Sequence, residues 1–557
     1  MALILLTVYP AWAITQGQDA NYDARNYHLY SSLAFLGGAY DGDLLPGGTQ
    51  TFLNPLATLP AALLYYASQS LGPLLPTLLL ALIQGATLVV VYAIGLRLLN
   101  GNRPMAFLAA LMGGTAPLPL SEAGNTMADL TLSLVSVSAL AFALDSASTE
   151  PVSDGRWRLA LSAGLAGASV GMKLTFIVTI PLLLCVGLTS IGSSPLRKQR
   201  LHQLLLKSTT ALLAFSISLA LFMSPQFVQA YKFTGNPVFP MFNQYFRSPL
   251  HEDAHSSDDR FLPDSGPSFL MAPLHDFTDS FYAPFSSTMG LQTRRAEVLF
   301  RDMRPMLWIA CSLIVLMLPV WRRRLNRVQI GFVLGLLSSY WFWLALAGIG
   351  RYAIPLQLLQ GVAIALPFQF HHGFTRRFPS GLNGKVAFTL LLALTWVTQI
   401  TPSWDRTGFE AHWAKVSLDS QPAVVTVRNG ELQFVREQPI VLLQRPSGWI
   451  KSQSLESKNP LLNWDPGIAQ RSAGRISKLP AVHARIEHQI LASGFESVLA
   501  MSLSKSPTDV SKELNRFLVE APLLRAAGFK PGSCSRYRAV NGGLPFSLCS
   551  VTRKSLQ

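Results

Sequence analysis

The chain has 557 residues, half of them hydrophobic and only 13% charged, with a net charge of +15 and a mean hydropathy of +0.31. Soluble globular chains carry about 25% charged residues, so the composition excludes an ordinary soluble protein, and the deficit falls in the first 400 residues, where long apolar runs recur. A nucleic-acid surface is excluded as well, because the basic residues cluster between apolar runs with no aromatic stripe among them.

A membrane helix needs about 20 apolar residues. Hydropathy predicts about eleven spans, near residues 1–16, 75–98, 105–121, 126–145, 158–173, 174–191, 208–224, 305–321, 328–348, 352–370 and 386–401. The first lacks the basic leader of a signal peptide and reads as a retained helix. Residues 55–72, punctuated by Pro55, Pro60 and Pro73, read as a juxtamembrane helix.

With the start of the chain inside, one alternation puts every basic cluster in the cytoplasm: Arg97 with Arg103, Arg156 with Arg158, Arg197 to Lys207, Arg322 to Arg327, and Arg376-Arg377 with Lys385. Residues 17–74 and 225–304 become long outer loops, and the tail lies on the same side. The fold class is therefore an α-helical polytopic membrane domain over residues 1–401, followed by an extracytoplasmic α/β domain over 402–557. In the tail, Ala423 to Val427 and Ile440 to Leu443 read as strands, and Ala481 to Leu491 and Val510 to Leu518 as helices.

Cys185 and Cys311 lie in apolar runs as packing residues. Cys534 and Cys549 flank the turn signal Gly542-Gly543; they suit a hairpin disulfide in an oxidising compartment, or two free thiols.

The first outer loop holds Asn21-Tyr22-Asp23-Ala24-Arg25-Asn26-Tyr27-His28. On a helix Asp23 and Tyr27 share a face and His28 lies close by, which suits a general base and its partner. The same spacing suits a polar helix start with Asp23 as its cap. Glu122, Asp129, Lys173 and Arg351 all fall at the outer ends of spans. Charges at membrane depth are costly and point to function. Two cations with acids nearby suit a phosphate-bearing substrate, although any one of them could be a side chain snorkelling to the interface.

Two near-motifs are set aside. Gly167 to Lys173 lacks the Gly-Lys-Ser/Thr adjacency of a phosphate-binding loop. His251-Glu252-Asp253-Ala254-His255 fits the zinc-protease pattern, but Pro249 precedes it and no apolar helix face accompanies it.

The ordered set Asp23-x-x-x-Tyr27-His28, Phe52-Leu53-Asn54-Pro55, Gly171-Met172-Lys173-Leu174-Thr175, Thr234-Gly235-Asn236-Pro237-Val238-Phe239-Pro240 and Arg351-Tyr352-Ala353-Ile354-Pro355 resembles bacterial members of the GT-C superfamily of integral membrane glycosyltransferases. The resemblance covers residues 17–370. It implies transfer of a sugar from a polyprenyl-phosphate donor to a glycan, lipid or protein acceptor of the envelope, with inversion, at the outer face of a bacterial inner membrane. Asp23 would be the base, with His28 and Asp129 as catalytic partners. Lys173 and Arg351 would hold the lipid phosphate, with Tyr352, Tyr27, Glu122 and Asn236 binding substrate. Some relatives use a divalent metal, and Asp41-Gly42-Asp43 is a DxD string, but no metal is assigned. The other readings are a transporter or flippase of a lipid-linked saccharide, against which stands the lack of repeats, and a scaffold whose tail binds a partner.

Overall fold

The computed structural model describes residues 1–38, 42–68, 71–148, 152–189, 197–250, 259–263, 267–282, 294–369, 384–409, 416–418, 426–428, 431–433, 438–443, 460–464, 480–502, 506–539 and 546–553. The chain divides into two compact units. One comprises Met1–Thr15, Leu78–Met223 and Asp258–Trp404; the other comprises Gln16–Thr77, Ser224–Ser257 and Asp405–Gln557.

The first unit is a helical bundle. Among the described residues four helices are long and apolar enough to cross a membrane: Leu74–Leu98, Ala128–Ser146, Leu205–Thr234 and Arg327–Leu346. Ala2–Gln16, Leu174–Thr189, Arg304–Met317 and Gly384–Thr398 are apolar but shorter. This is an integral membrane architecture: only 6% of the apolar window of Leu205–Thr234 is buried by protein, which leaves the rest for lipid.

Each predicted span coincides with helix, but several are broken. The 105–121 run is two helices, Arg103–Gly114 and Pro117–Glu122. Proline at the first turn starts the second, as its fixed φ and missing N–H favour. The 174–191 run opens as a 3-10 turn, Leu174–Thr179, before the α-helix Ile180–Thr189. The 352–370 run follows a 3-10 turn at Gly350–Ala353. The 305–321 run breaks at Leu318, ahead of Pro319. The helix Arg327–Leu346 begins with a reciprocal capping box between Asn326 and Gln329.

Close packing rests on small residues. A Cβ on Gly113 would stand 2.1 Å from the Leu358 carbonyl oxygen, and one on Gly361 would stand 2.0 Å from that of Ala109. The helices Arg103–Gly114 and Ile354–Phe368 therefore touch backbone to backbone. Arg304 is wholly buried where the bundle closes. Its guanidinium donates to Asp302 (2.7 Å), Gln399 (2.9 Å) and the backbone oxygen of Met112 (2.7 Å). No donor on that side chain is wasted, as a buried charge requires.

The second unit contains a six-stranded sheet, ordered Val416–Leu418, Phe529–Ala539, Phe546–Arg553, Ser497–Ser502, Ile440–Leu442, Leu461–Asn463. The last three strands pair in parallel, and the others antiparallel. Helix Pro507–Glu520 buries Val510, Leu514, Phe517 and Leu518, the stripe of a 3.6-residue period. Both predicted tail helices are present, as Pro480–Ala492 and Pro507–Glu520, and so is the strand at Ile440. Cys534 and Cys549 are disulfide-bonded and face each other across the paired strands. Gly542-Gly543 lies outside the described residues.

Candidate functional site

Lys173 sits at the break between helix Val152–Met172 and the 3-10 turn that follows, in extended backbone (φ −149°, ψ 109°). The break frees its side chain from the helix surface. Its ammonium lies 2.6 Å from Asp129 Oδ1, with Asp129 only 1% exposed and Lys173 22%. Asp129 Oδ2 meets no hydrogen-bond donor among the described residues.

Arg351 occupies the 3-10 turn Gly350–Ala353. That turn is pinned: Gly350 N–H donates to the Arg295 carbonyl, and Gln357 Nε2 donates to the Gly350 carbonyl at 3.2 Å. A Cβ on Gly350 would stand 2.7 Å from that Arg295 oxygen and 2.8 Å from Leu118, so only glycine fits. Arg351 Nε lies 3.4 Å from Glu297 Oε2, and Glu297 Oε1 lies 3.4 Å from Arg260.

Tyr352 joins the two cations. The Lys173 ammonium is 5.1 Å from its ring centroid, and the Arg351 guanidinium 5.2 Å. A continuous chain of contacts therefore runs from Arg260 through Glu297, Arg351, Tyr352 and Lys173 to Asp129.

Glu122 ends the short helix Pro117–Glu122, in the turn between two spans, and is fully buried. Its Oε2 accepts the Leu130 N–H at 2.9 Å, capping the first turn of helix Ala128–Ser148. Gln84 locks the same turn by accepting the Gly124 N–H at 2.7 Å and donating to Thr131 at 3.1 Å. Burial first, and the Asp129 charge second, hold the Glu122 carboxyl well above the usual carboxylate range. Three cations, Lys173, Arg351 and Arg260, thus lie along one chain of contacts with the carboxylates Asp129 and Glu297.

In the second unit Asp23 is the N-cap residue of a π-helical turn, Ala24–His28, yet makes no side-chain cap bond. Asn21 does that work: its Oδ1 accepts the Ala24 N–H at 2.7 Å, and Asp19 in turn accepts the Asn21 amide at 2.7 Å. Asp23 is half-buried, whereas Tyr27 and His28 are buried, their rings edge to face at 4.5 Å. Asn236 is fully buried and spends its side chain on its own loop, accepting from Val238 N–H at 3.0 Å and donating to the Met241 carbonyl at 2.9 Å.

Of the DxD string, Asp41 lies outside the described residues. Asp43 accepts from Tyr30 and from the Leu461 N–H, so both its oxygens are engaged by protein. His251 to His255 also lie outside the described residues. No group of three or more metal-ligating side chains occurs among the described residues.

No protein-family model matches the chain, and no curated protein matches it. Among solved structures, it is similar to ArnT from Cupriavidus metallidurans bound to undecaprenyl phosphate, at 14% identity and a TM-score of 0.49, covering 99% of this chain and 96% of that one. The apo state of the same ArnT gives 15% and 0.48 over the same shares. The Archaeoglobus fulgidus oligosaccharyltransferase in complex with Zn and sulfate gives 11% and 0.43, covering 95% of this chain and 72% of that one.

The sequence reading missed Glu297 and Arg260, which complete the ion-pair chain. The signal was present: Arg294-Arg295-Ala296-Glu297 is a charged run just ahead of an apolar span.

Proposed function

We propose that the chain is a GT-C membrane glycosyltransferase that moves a sugar from a polyprenyl-phosphate donor to an envelope acceptor, with inversion, at the outer face of a bacterial inner membrane. The observation that carries this reading is the pair of cations, Lys173 and Arg351, flanking one tyrosine ring beside buried carboxylates. Fixed positive charge stabilises a leaving phosphate better than water does, because it needs no reorganisation.

In this reading the acceptor oxygen attacks the anomeric carbon from the face opposite the phosphate. The bond from that carbon to the phosphate oxygen breaks, and the electron pair leaves with the lipid phosphate. Lys173 and Arg351 hold it; the arginine fork suits two phosphate oxygens at once. Asp23 takes the acceptor proton. Tyr352 keeps the two cations apart and aligned through its ring face. His28 and Tyr27 support the first loop, and Asn236 shapes the loop it occupies. Asp129, whose Oδ2 meets no donor among the described residues, accepts from a substrate hydroxyl.

The test is sugar transfer by the purified full-length protein in detergent. Labelled polyprenyl-phosphate sugars are supplied with an envelope acceptor fraction, and Arg351→Ala and Asp23→Asn run beside wild type. Transfer by wild type and its loss in both variants, with folding intact, supports the reading. Donor binding without transfer or hydrolysis, unchanged in both variants, moves the assignment to a transporter.

A further inference from the structure

Helix Pro267–Tyr282 belongs to the first unit and turns its polar face inward. Ala272, Asp276 and Ser280 recur every fourth residue and are buried. Met271, Leu274, Phe281 and Tyr282 lie on the opposite face, each between 45% and 50% exposed. Thr278 falls within that stripe and spends its hydroxyl on the His275 carbonyl at 2.9 Å. His275 and the Asp279–Arg294 pair (3.6 Å) run along one edge of the stripe as a polar rim. A helix whose outer face met water would carry its polar groups there and bury its apolar ones; this helix does the reverse.

The helix sits level with the ends of two spans. Phe269 meets Trp341 at 5.4 Å, and Asp276 accepts from Tyr340, both in the last two turns of helix Arg327–Leu346. Trp308, near the start of helix Arg304–Met317, lies 5.4 Å from the same Tyr340 ring. At such a level hydrocarbon gives way to headgroups, and aromatic side chains with one polar end collect there. Phe281 and Tyr282 stand edge to face at 5.5 Å on the exposed stripe, and Leu346, closing the neighbouring span, is exposed as well. The stripe therefore continues a surface already given to lipid, which covers it without any protein partner.

The inward face has a different task. Arg295 Nε donates to both oxygens of Asp276, at 3.0 and 3.3 Å, and its Nη1 donates to the Phe261 carbonyl at 2.7 Å. The backbone carbonyl of Arg295 in turn accepts the Gly350 N–H. The Phe261 carbonyl closes the other flank: a Cβ on Gly348, whose φ is +64°, would stand 2.2 Å from it. Trp343 Nε1 adds a bond to the Ile349 carbonyl at 2.8 Å. Residues 348–350 are gripped on both flanks by groups that Arg295 holds, and Arg351 follows directly.

We propose that helix Pro267–Tyr282 is seated in the lipid interface by Met271, Leu274, Phe281 and Tyr282, and that Asp276 and Arg295 are positioning residues that connect this seat to the Arg351 turn. The seat is a claim about the chain in a bilayer, whatever its reaction. The brace deepens the glycosyltransferase reading and rests on it for its purpose, since it fixes at headgroup level the cation that holds the lipid phosphate.

The experiment uses the full chain in lipid nanodiscs. With Cys185→Ala and Cys311→Ala as background, spin labels are attached at Leu274→Cys and Phe281→Cys. Leu212→Cys, on the lipid-exposed helix Leu205–Thr234, is the lipid reference, and Lys512→Cys, where the native side chain is 81% exposed, is the water reference. Collision with oxygen is expected to exceed collision with a water-soluble nickel chelate at 274 and 281, as at 212 and opposite to 512. Readings like those at 512 overturn the seat. For the brace, Asp276→Asn is expected to weaken binding of a polyprenyl phosphate severalfold, and to raise donor KM by as much with a smaller change in kcat. Leu274→Ser with Phe281→Ser should do the same, and all three together should add little to either. Unchanged binding and KM in Asp276→Asn, or effects that simply add, overturn the brace. Seated labels and a working brace with no transfer from any donor keep this proposal and remove the glycosyltransferase reading. Transfer that persists while the labels read like 512 does the reverse.

Discussion

The Lys173 ammonium lies 2.6 Å from Asp129 Oδ1, across the junction between the end of helix Val152–Met172 and the start of helix Ala128–Ser148. A buried ion pair can serve stability or function, and the two separate by double substitution. Lys173→Met leaves a fully buried carboxylate without its cation and is expected to cost about 3 kcal/mol. The double variant Lys173→Met with Asp129→Leu removes both charges and should regain most of that in thermal unfolding. Transfer should stay lost in the double variant, because the phosphate has lost one of its two cations. Recovery of both stability and transfer would make the pair purely structural.

Glu122 gives a pH signature. Its carboxyl is pushed upward in the folded protein, first by burial and then by Asp129. The folded state thus binds the proton more tightly than the unfolded chain does. The stability this contributes is full below the ordinary carboxylate range and is lost as pH rises through the raised value. Glu122→Gln keeps an oxygen for the Leu130 N–H and carries no charge. The variant should therefore melt higher than wild type at pH 8, with the gap closing toward pH 4. A constant gap across that range would show that Glu122 is not the titrating group.

Arg351 is held by Glu297, which also meets Arg260. Glu297→Gln removes the anchor but keeps the side chain's shape. The expected result is a severalfold higher KM for the polyprenyl-phosphate donor and a smaller change in kcat, since Arg351 remains but is less well aimed. An unchanged KM would mean that the 350–353 turn alone positions the arginine.

The helical bundle was readable from apolar runs, because lipid demands about 20 such residues per crossing whatever the neighbours are. The breaks within runs were harder to read. Gly113 and Gly361 are ordinary residues in an apolar list, and only the backbone contact between their helices gives them meaning. Lys173 and Arg351 stood out because charge at membrane depth is rare. Glu297 did not, since it lies in a polar loop, and its importance comes from a partner 54 residues away in the chain, Arg351. The alternatives at Asp23 were of another kind: spacing suits a base or a helix cap there, and the structure gives the cap bond to Asn21, which accepts the Ala24 N–H.

Cys534 and Cys549 close a loop with a sequence separation of 15 between two neighbouring strands. On chain-entropy grounds a link of that length contributes about 3 kcal/mol. Reduction, or Cys534→Ser with Cys549→Ser, should speed amide exchange along strands Phe529–Ala539 and Phe546–Arg553 while leaving the membrane helices unchanged. If the tail faces the oxidising side, thiol labelling of intact cells should find the pair blocked until reductant is added. Labelling without reductant would place the tail in a reducing compartment and overturn the proposed topology.

Asp23 offers the sharpest test of the chemistry, because its surroundings separate charge from structure. The N-terminal turn it precedes is capped by Asn21, whose side chain accepts the Ala24 N–H, and Asn21 is held in turn by Asp19. Asp23 itself makes no cap bond. Asp23→Asn keeps the size of the side chain and leaves this cap in place. Asn21→Ala, by contrast, should cost about 1 kcal/mol through the lost cap. If Asp23 is the base, the order reverses in the transfer assay: Asp23→Asn should fall by about 10²- to 10⁴-fold, and Asn21→Ala far less. A stable Asp23→Asn variant that transfers sugar at the wild-type rate would remove Asp23 from the mechanism, and the search for the base would pass to Asp129.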